Sequence, residues 1–280
     1  MGMRRSRTAA GFRYLFIVVA LVIYLTPIFF QVVAGFRTTG ATYDPDKIVN
    51  FSGLTLETWR DLIHHQNFLS YLRNSLVASV SSTLIIMLFS IPAAFGLSKM
   101  PMRRKTRANL SFEFLSMRML PGIAVIIPIF VAFKRLGLLY TMQGLVLLYV
   151  VFNIPLAAWL LTGFFKEVSN EIGEASRIDG CSYFEELLRI VIPLSGPGLL
   201  SVTILTFIFT WNEFMFASVL TMSSIRTLPV WAAYTTQQHY IISYPVLGIS
   251  FTVMIVPVVV FALTMQRYLI RGLSFGAVKE

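Results

Sequence analysis

Between Tyr14 and Phe36 the chain carries no charged side chain, and the same holds from Asn74 to Ser98. A helix needs about 20 consecutive apolar residues to cross roughly 30 Å of bilayer hydrocarbon. Both stretches meet that length, so lipid is the solvent for at least part of this chain. Composition agrees. Of 280 residues, 56% are hydrophobic and 13% are charged, whereas soluble domains carry about 25% charged residues. Four further apolar stretches follow, at about 109–133, 143–165, 197–220 and 245–266. The third is interrupted by Glu113 and Arg118. The expected fold is an all-α membrane protein with six transmembrane helices in a single domain over 1–280.

The net charge is +10. Nucleic acid binding is one use for such a surplus, but the basic residues stand in short clusters beside apolar runs, where membrane orientation requires them. With the N-terminus in the cytoplasm, inside segments hold fifteen of the 23 Lys and Arg residues and outside segments hold six, Arg73 and Arg118 lying at or within span ends. That bias places both termini in the cytoplasm, as an even number of crossings demands. Arg4, Arg5, Arg7 and Arg13 precede the first run, which is too long for a signal peptide and lacks a clear cleavage site; it reads as a retained span. The lone cysteine, Cys181, allows no intrachain disulfide.

Two outside segments exceed simple turns. Residues 37–72 contain Asp44-Pro45-Asp46, a turn signal, and Leu56 to Leu62, an expected interfacial helix. Residues 226–244 are aromatic and polar, with Trp231, Tyr234, Gln237, Gln238, His239 and Tyr240. Both are expected to face a partner outside. No internal repeat is apparent, which argues against an inverted-repeat carrier.

The loop between the fourth and fifth spans, 166–196, is too charged to enter the bilayer. Ile172, Ala175 and Ile178 share one side at helical spacing. Ser182-x-x-Glu185 is a capping box opening a second helix, with Phe184, Leu187, Leu188 and Val191 on one side. Helices this short are marginal in water and need a surface to pack on. Gly180 supplies the turn between them, where a left-handed backbone excludes most side chains. Pro193 and Pro197 are expected to end the motif before the next span. The segment is a compact docking knob.

Its spelling resembles the signature of ABC-importer permeases: Glu-Ala-Ala, three residues, Gly, nine residues, Ile-x-Leu-Pro. Here it runs Glu174-Ala175-Ser176, Asp179-Gly180, then Ile190-Val191-Ile192-Pro193, with serine and isoleucine at the two departures. Arg73-Asn74-Ser75, Arg118-Met119-Leu120-Pro121, Trp211-Asn212-Glu213-Phe214 and the ending from Gln266 to Lys279 look like those of carbohydrate-uptake permeases of the maltose type. The resemblance implies the methionine-importer-like permease fold in a bacterial inner membrane. It also implies a second homologous permease as heterodimer partner, two ATPase subunits and an external solute-binding protein. In such an assembly Glu174, Ala175, Ser176, Asp179, Gly180, Phe184, Ile190 and Pro193 couple to the ATPase. Ser274, Phe275 and Gly276 reach into the ATPase dimer, which holds the ATP and magnesium. No cofactor is expected in this chain, which contains no Gly-x-x-x-x-Gly-Lys-Ser/Thr, no nucleophile elbow and no His-Glu-x-x-His. Catalysis belongs to a partner.

Thr203, Thr206, Thr210 and Glu213 recur at three- and four-residue steps in span five and share a face. Two uses fit, a solute pathway with Asn212 and Glu213 contacting sugar hydroxyls, or polar packing between helices. Ser75, Ala78, Ser79 and Ser82 form a small-residue face suited to close helix packing. His64-His65 lacks a companion ligand set and reads as an interfacial pair. The expected cargo is a sugar, oligosaccharide or polyol, neutral solutes coming first because span five offers no basic partner. Same-fold carriage of a phosphorylated polyol or a peptide, an ion-driven carrier and a membrane-embedded enzyme are the alternatives. The last two need charged relays in several spans, and only Glu113, Arg118 and Glu213 are available.

Overall fold

The computed structural model describes residues 7–44, 52–65, 67–238 and 243–276, with the backbone alone for 7–11, 65, 236–238 and 265–276. Pro45 and Asp46 of the expected turn, and His239 and Tyr240, lie outside the described residues. The chain divides into two compact units, one of residues 1–68 and 232–256, the other of 69–231 and 257–280.

In the first unit, helix α1 (Arg7–Ala34) is apolar all round, and Phe12 to Phe30 leave most of their large side chains exposed. A helix of that kind has lipid or another subunit as its surroundings. Its end meets α13 (Tyr244–Gly276) at Gly35 and Gly248, where a Cβ on either glycine would strike the other's backbone. Beyond it lie α2 (Thr39–Thr42), capped by Thr38, and α3 (Glu57–His65), the expected interfacial helix. Leu62 is buried there while Glu57, Arg60 and Asp61 point outward. An isolated bridge pairs Arg37 with Leu54, and the Phe36 and Trp59 rings stand 5.4 Å apart.

The second unit is built on α4 (Phe68–Lys99) and α7 (Met142–Glu167). Ile86, Met87, Ala94 and Phe95 of α4 pack with Val150, Ala157, Leu161 and Phe165 of α7. The serine face of α4 is buried as its small residues require: Ser75, Ala78, Ser79 and Ser82 all lie inside. Asn74 Nδ2 donates to the Ser224 and Arg226 carbonyls at 3.1 and 3.0 Å, and the Leu228 N–H donates to Ser75 Oγ at 2.7 Å. The Arg73-Asn74-Ser75 stretch therefore anchors the loop leading into α12 (Leu228–Gln238) rather than starting its own helix, which begins at Phe68.

Among the described residues, four helices are long and apolar enough to cross a membrane singly, and two bent pairs bring the number to as many as six. The stretch 109–133 is not one helix. It is α5 (Arg104–Met119) and α6 (Gly122–Arg135), bent by 88°. Pro121 is the cause. It pushes Leu120 into extended backbone, with φ −64° and ψ 122°, which ends α5. The stretch 197–220 is also divided, into α10 (Gly196–Trp211) and α11 (Met215–Leu220), with Asn212 to Phe214 between. Nor does Pro193 end the knob. It sits within a helical run, α9 (Tyr183–Leu194), which stops at Ser195 and meets α10 at 84°. A proline lacks the N–H that the carbonyl four residues earlier expects. The backbone adapts through a π-turn at Leu187–Val191, in which the Ile192 N–H reaches the Leu187 carbonyl.

Candidate functional site

Helix α8 (Asn170–Ile178) begins at Ser169, whose hydroxyl accepts the Glu171 N–H. It ends in a Schellman motif: Cys181 N–H donates to the Ser176 carbonyl and Gly180 N–H to the Arg177 carbonyl. Gly180 has φ +92°, the backbone region its lack of a side chain makes accessible. The capping box at the next helix is complete, Ser182 Oγ accepting from Glu185 N and Glu185 returning to the Ser182 N–H. Those donations from Ser182 hold the Glu185 carboxyl below its ordinary range, with Arg189 adding to the effect.

The buried side of α8 is not its apolar side. Gly173 and Ser176 face inward, while Ile172, Ala175 and Ile178 face out, Ile178 at 87% exposure. The apolar residues of α9 separate likewise. Leu187 and Val191 enter the core, whereas Phe184 (68% exposed) and Leu188 remain outside. Both helices thus leave apolar side chains exposed, Ile172 and Ile178 on α8 and Phe184 and Leu188 on α9. Of the remaining residues singled out from sequence, Glu174 and Asp179 are exposed, Ile190 is half-buried and Pro193 is exposed. Ser176 bonds inward to the Gly173 carbonyl at 2.9 Å. The side chains of Ser274, Phe275 and Gly276, at the end of α13, lie outside the described residues.

What braces the knob was not evident from sequence. Glu186, 1% exposed, accepts from Arg177 Nη1 at 2.9 Å and so ties α9 to α8. A Cβ on Gly173 would collide with the Glu186 carboxylate, which explains a glycine within a nine-residue helix. Lys99, closing α4, donates to the Val168 carbonyl and, at 3.0 Å, to Asn170 Oδ1. The base of the knob is therefore fixed to the longest helix of this unit's core.

Deeper in the unit, three elements meet. Gly122, first in α6, lies against Met215 and Phe216 of α11. Glu213, between α10 and α11, accepts the N–H groups of Phe216 and Ala217 at 2.8 and 3.0 Å. Its carboxylate caps α11. Thr203 and Thr210 bond back to carbonyls of their own helix, Thr206 and Thr210 are buried, and exposed Asn212 donates to the Ile208 carbonyl. Arg118, last but one in α5, reaches toward Asn153 Oδ1 at 3.4 Å and stands over the Phe209 ring at 5.2 Å. Asn153 lies near the middle of α7, and its amide donates to the Tyr149 carbonyl at 2.7 Å. Span five alone contained no basic partner; the fold brings one from span three. Among the described residues no group of three His, Cys, Asp or Glu is placed to hold a metal ion.

Glu213→Ala is expected to lower both the melting temperature of the purified complex and the uptake of any solute in proportion. The lost cap is worth about 0.5–2 kcal/mol. A selective loss for one solute, with melting unchanged, would restore direct contact instead.

Residues 67–275 match the family of binding-protein-dependent transport system inner membrane components. The chain belongs to this family. A probable ABC transporter permease of Sinorhizobium fredii is 36% identical, over 95% of this chain and 94% of its own. The trehalose/maltose transport permease MalG of Thermococcus litoralis is 32% identical, over 92% of each. Among solved structures, a chain of a bacterial ABC transporter that imports the acidic polysaccharide alginate superposes with a TM-score of 0.75 at 21% identity, covering 96% of this chain and 99% of that one. A second, in complex with an alginate pentasaccharide-bound periplasmic protein, gives 0.67 at 13% identity, covering 91% and 92%. The protein is thus a multi-pass ABC importer permease, a subunit of a family whose members are not themselves enzymes. Within this permease the expected signature residues fall on α8, on α9 and in the turn between them at Asp179 and Gly180.

Proposed function

We propose that this permease forms half of the translocation pathway for a sugar, oligosaccharide or polyol, driven by ATP hydrolysis in partner subunits. The chain crosses the bacterial inner membrane six times with both termini in the cytoplasm, counting each bent pair as one crossing. A homologous permease completes the pathway as a heterodimer partner, an external binding protein delivers the solute, and two ATPase subunits hold ATP and magnesium. The knob at Glu174 to Pro193 seats in the ATPase, and the segment Ser274-Phe275-Gly276 adds a second contact.

One observation carries the reading: Ile178 and Phe184 stand exposed on a knob whose interior is braced by Glu186. Apolar side chains held outward on a rigid support mark an interface. The permeases named for trehalose/maltose and for trehalose among its relatives support a carbohydrate cargo.

The test is uptake by proteoliposomes holding both permeases, the ATPase and the binding protein. Internal ATP and the binding protein are expected to be required together, with Ile178→Glu abolishing uptake. Transport driven by an ion gradient without ATP would overturn the proposal.

A further inference from the structure

Arg118 is left without a charge partner by everything around it. Among the described residues, neither the ion pair of Arg177 with Glu186 nor that of Arg189 with Glu185 includes Arg118. The nearest acidic candidate in the sequence of span five, Glu213, spends both carboxylate oxygens on the amides of α11. Arg118 instead makes two long contacts, with the Phe152 carbonyl at 3.5 Å and Asn153 Oδ1 at 3.4 Å, and remains exposed. A guanidinium carries five N–H donors in a planar fork that fits a carboxylate, sulfonate or phosphate with two parallel bonds. Both contacts come from a single nitrogen, Nη1.

Its depth makes the vacancy informative. Asn153 is near the middle of the 26-residue α7, so Arg118 sits at about half the height of a helix long enough to cross the bilayer. Arginine at such depth is costly against lipid and is found facing a cavity or pairing with an acid. Its position is also held. The guanidinium carbon stands over the exposed Phe209 ring, whose face favours a cation. Asn153, itself fastened to α7, supports it from below. A positive group so placed is prepared for an anion arriving from outside the chain.

We propose that Arg118 is the counter-ion for an anionic group on the transported solute, so that this importer carries acidic rather than neutral sugars. The inference rests on the permease reading above and replaces the preference for neutral cargo that span five alone suggested. The binding site it describes is the bend between α5 and α6 together with Asn153 and Phe209.

The experiment has two arms on the complete transporter. First, the external binding protein is melted with maltotriose, glycerol, galacturonate and trigalacturonate. Stabilisation by an acidic sugar is expected; stabilisation by the neutral compounds alone, or by none of the four, overturns the proposal. Second, ATP-driven uptake of the stabilising sugar is compared for wild type, Arg118→Gln and Arg118→Lys in proteoliposomes. Arg118→Gln is expected to raise KM for an acidic solute about tenfold or more, with partial recovery in Arg118→Lys, as loss of a charge-assisted pair predicts. If Arg118→Gln instead separates the two permeases during purification and leaves KM unaltered, an acid of the partner permease holds the arginine and the proposal fails. Failure in either arm with uptake still dependent on ATP leaves the importer reading standing; loss of ATP dependence in wild type removes both.

Discussion

Gly180→Val is expected to insert into the membrane at near-normal amounts and to reduce ATP-driven uptake by more than about tenfold, since a β-branched residue at positive φ costs on the order of 1–3 kcal/mol. Within the chain nothing lies within 4 Å of a Cβ built on Gly180, so bulk is tolerated there. Backbone direction is not. At φ +92° the turn aims α9 away from α8, and both hydrogen bonds of the Schellman motif depend on it. A valine would relax the turn toward negative φ and misplace Phe184 relative to Ile178. Gly180→Asn should retain more activity, because asparagine is enriched at positive φ. Uptake and surface quantity measured together check the result; normal uptake by the valine variant would remove the turn from the coupling mechanism.

Glu186→Ala is expected to leave ATP hydrolysis running while uptake collapses. Breaking a buried ion pair costs about 3–5 kcal/mol, and less here because Arg177 is about one-third exposed. The knob would persist as two helices without their cross-brace, free to yield under load instead of transmitting it. Removing both partners, as Arg177→Met with Glu186→Met, should recover part of the loss, since no lone charge is left buried. The ratio of solute moved to ATP hydrolysed is the measurement. An unchanged ratio in Glu186→Ala would show that the pair contributes nothing to stiffness.

The parts of this architecture written in local chemistry were legible beforehand. Ser182 and Glu185 spelled a capping box, Gly180 spelled a left-handed turn, and both are present. Long charge-free runs identified α1, α4, α7 and α13. Other features depended on contacts across the fold. Glu186 beside Glu185 looks like ordinary surface charge until Gly173, thirteen positions earlier, is seen to make room for it. The threonine stripe of α10 has the same spacing whether it lines a pathway or bonds back to its own helix, and the hydroxyls of Thr203 and Thr210 do the latter. In sequence Arg118 reads as an interruption of a span, because its companions, Asn153 and Phe209, come from two other helices. Leu120-Pro121 did carry a readable signal for the break, which the apolar run around it concealed.

The 88° bend between α5 and α6 also constrains how the permease matures. Pro121 precedes α6 without a side-chain cap, and α5 ends at an extended Leu120, so peptide groups at the seam lack helical partners. Acyl chains supply neither donors nor acceptors, so this seam tolerates only water or another polypeptide as its neighbour. A bend turned toward lipid would expose peptide groups to hydrocarbon at the level of Asn153. Water in a cavity or a neighbouring polypeptide is consequently part of solvating this chain at the bend.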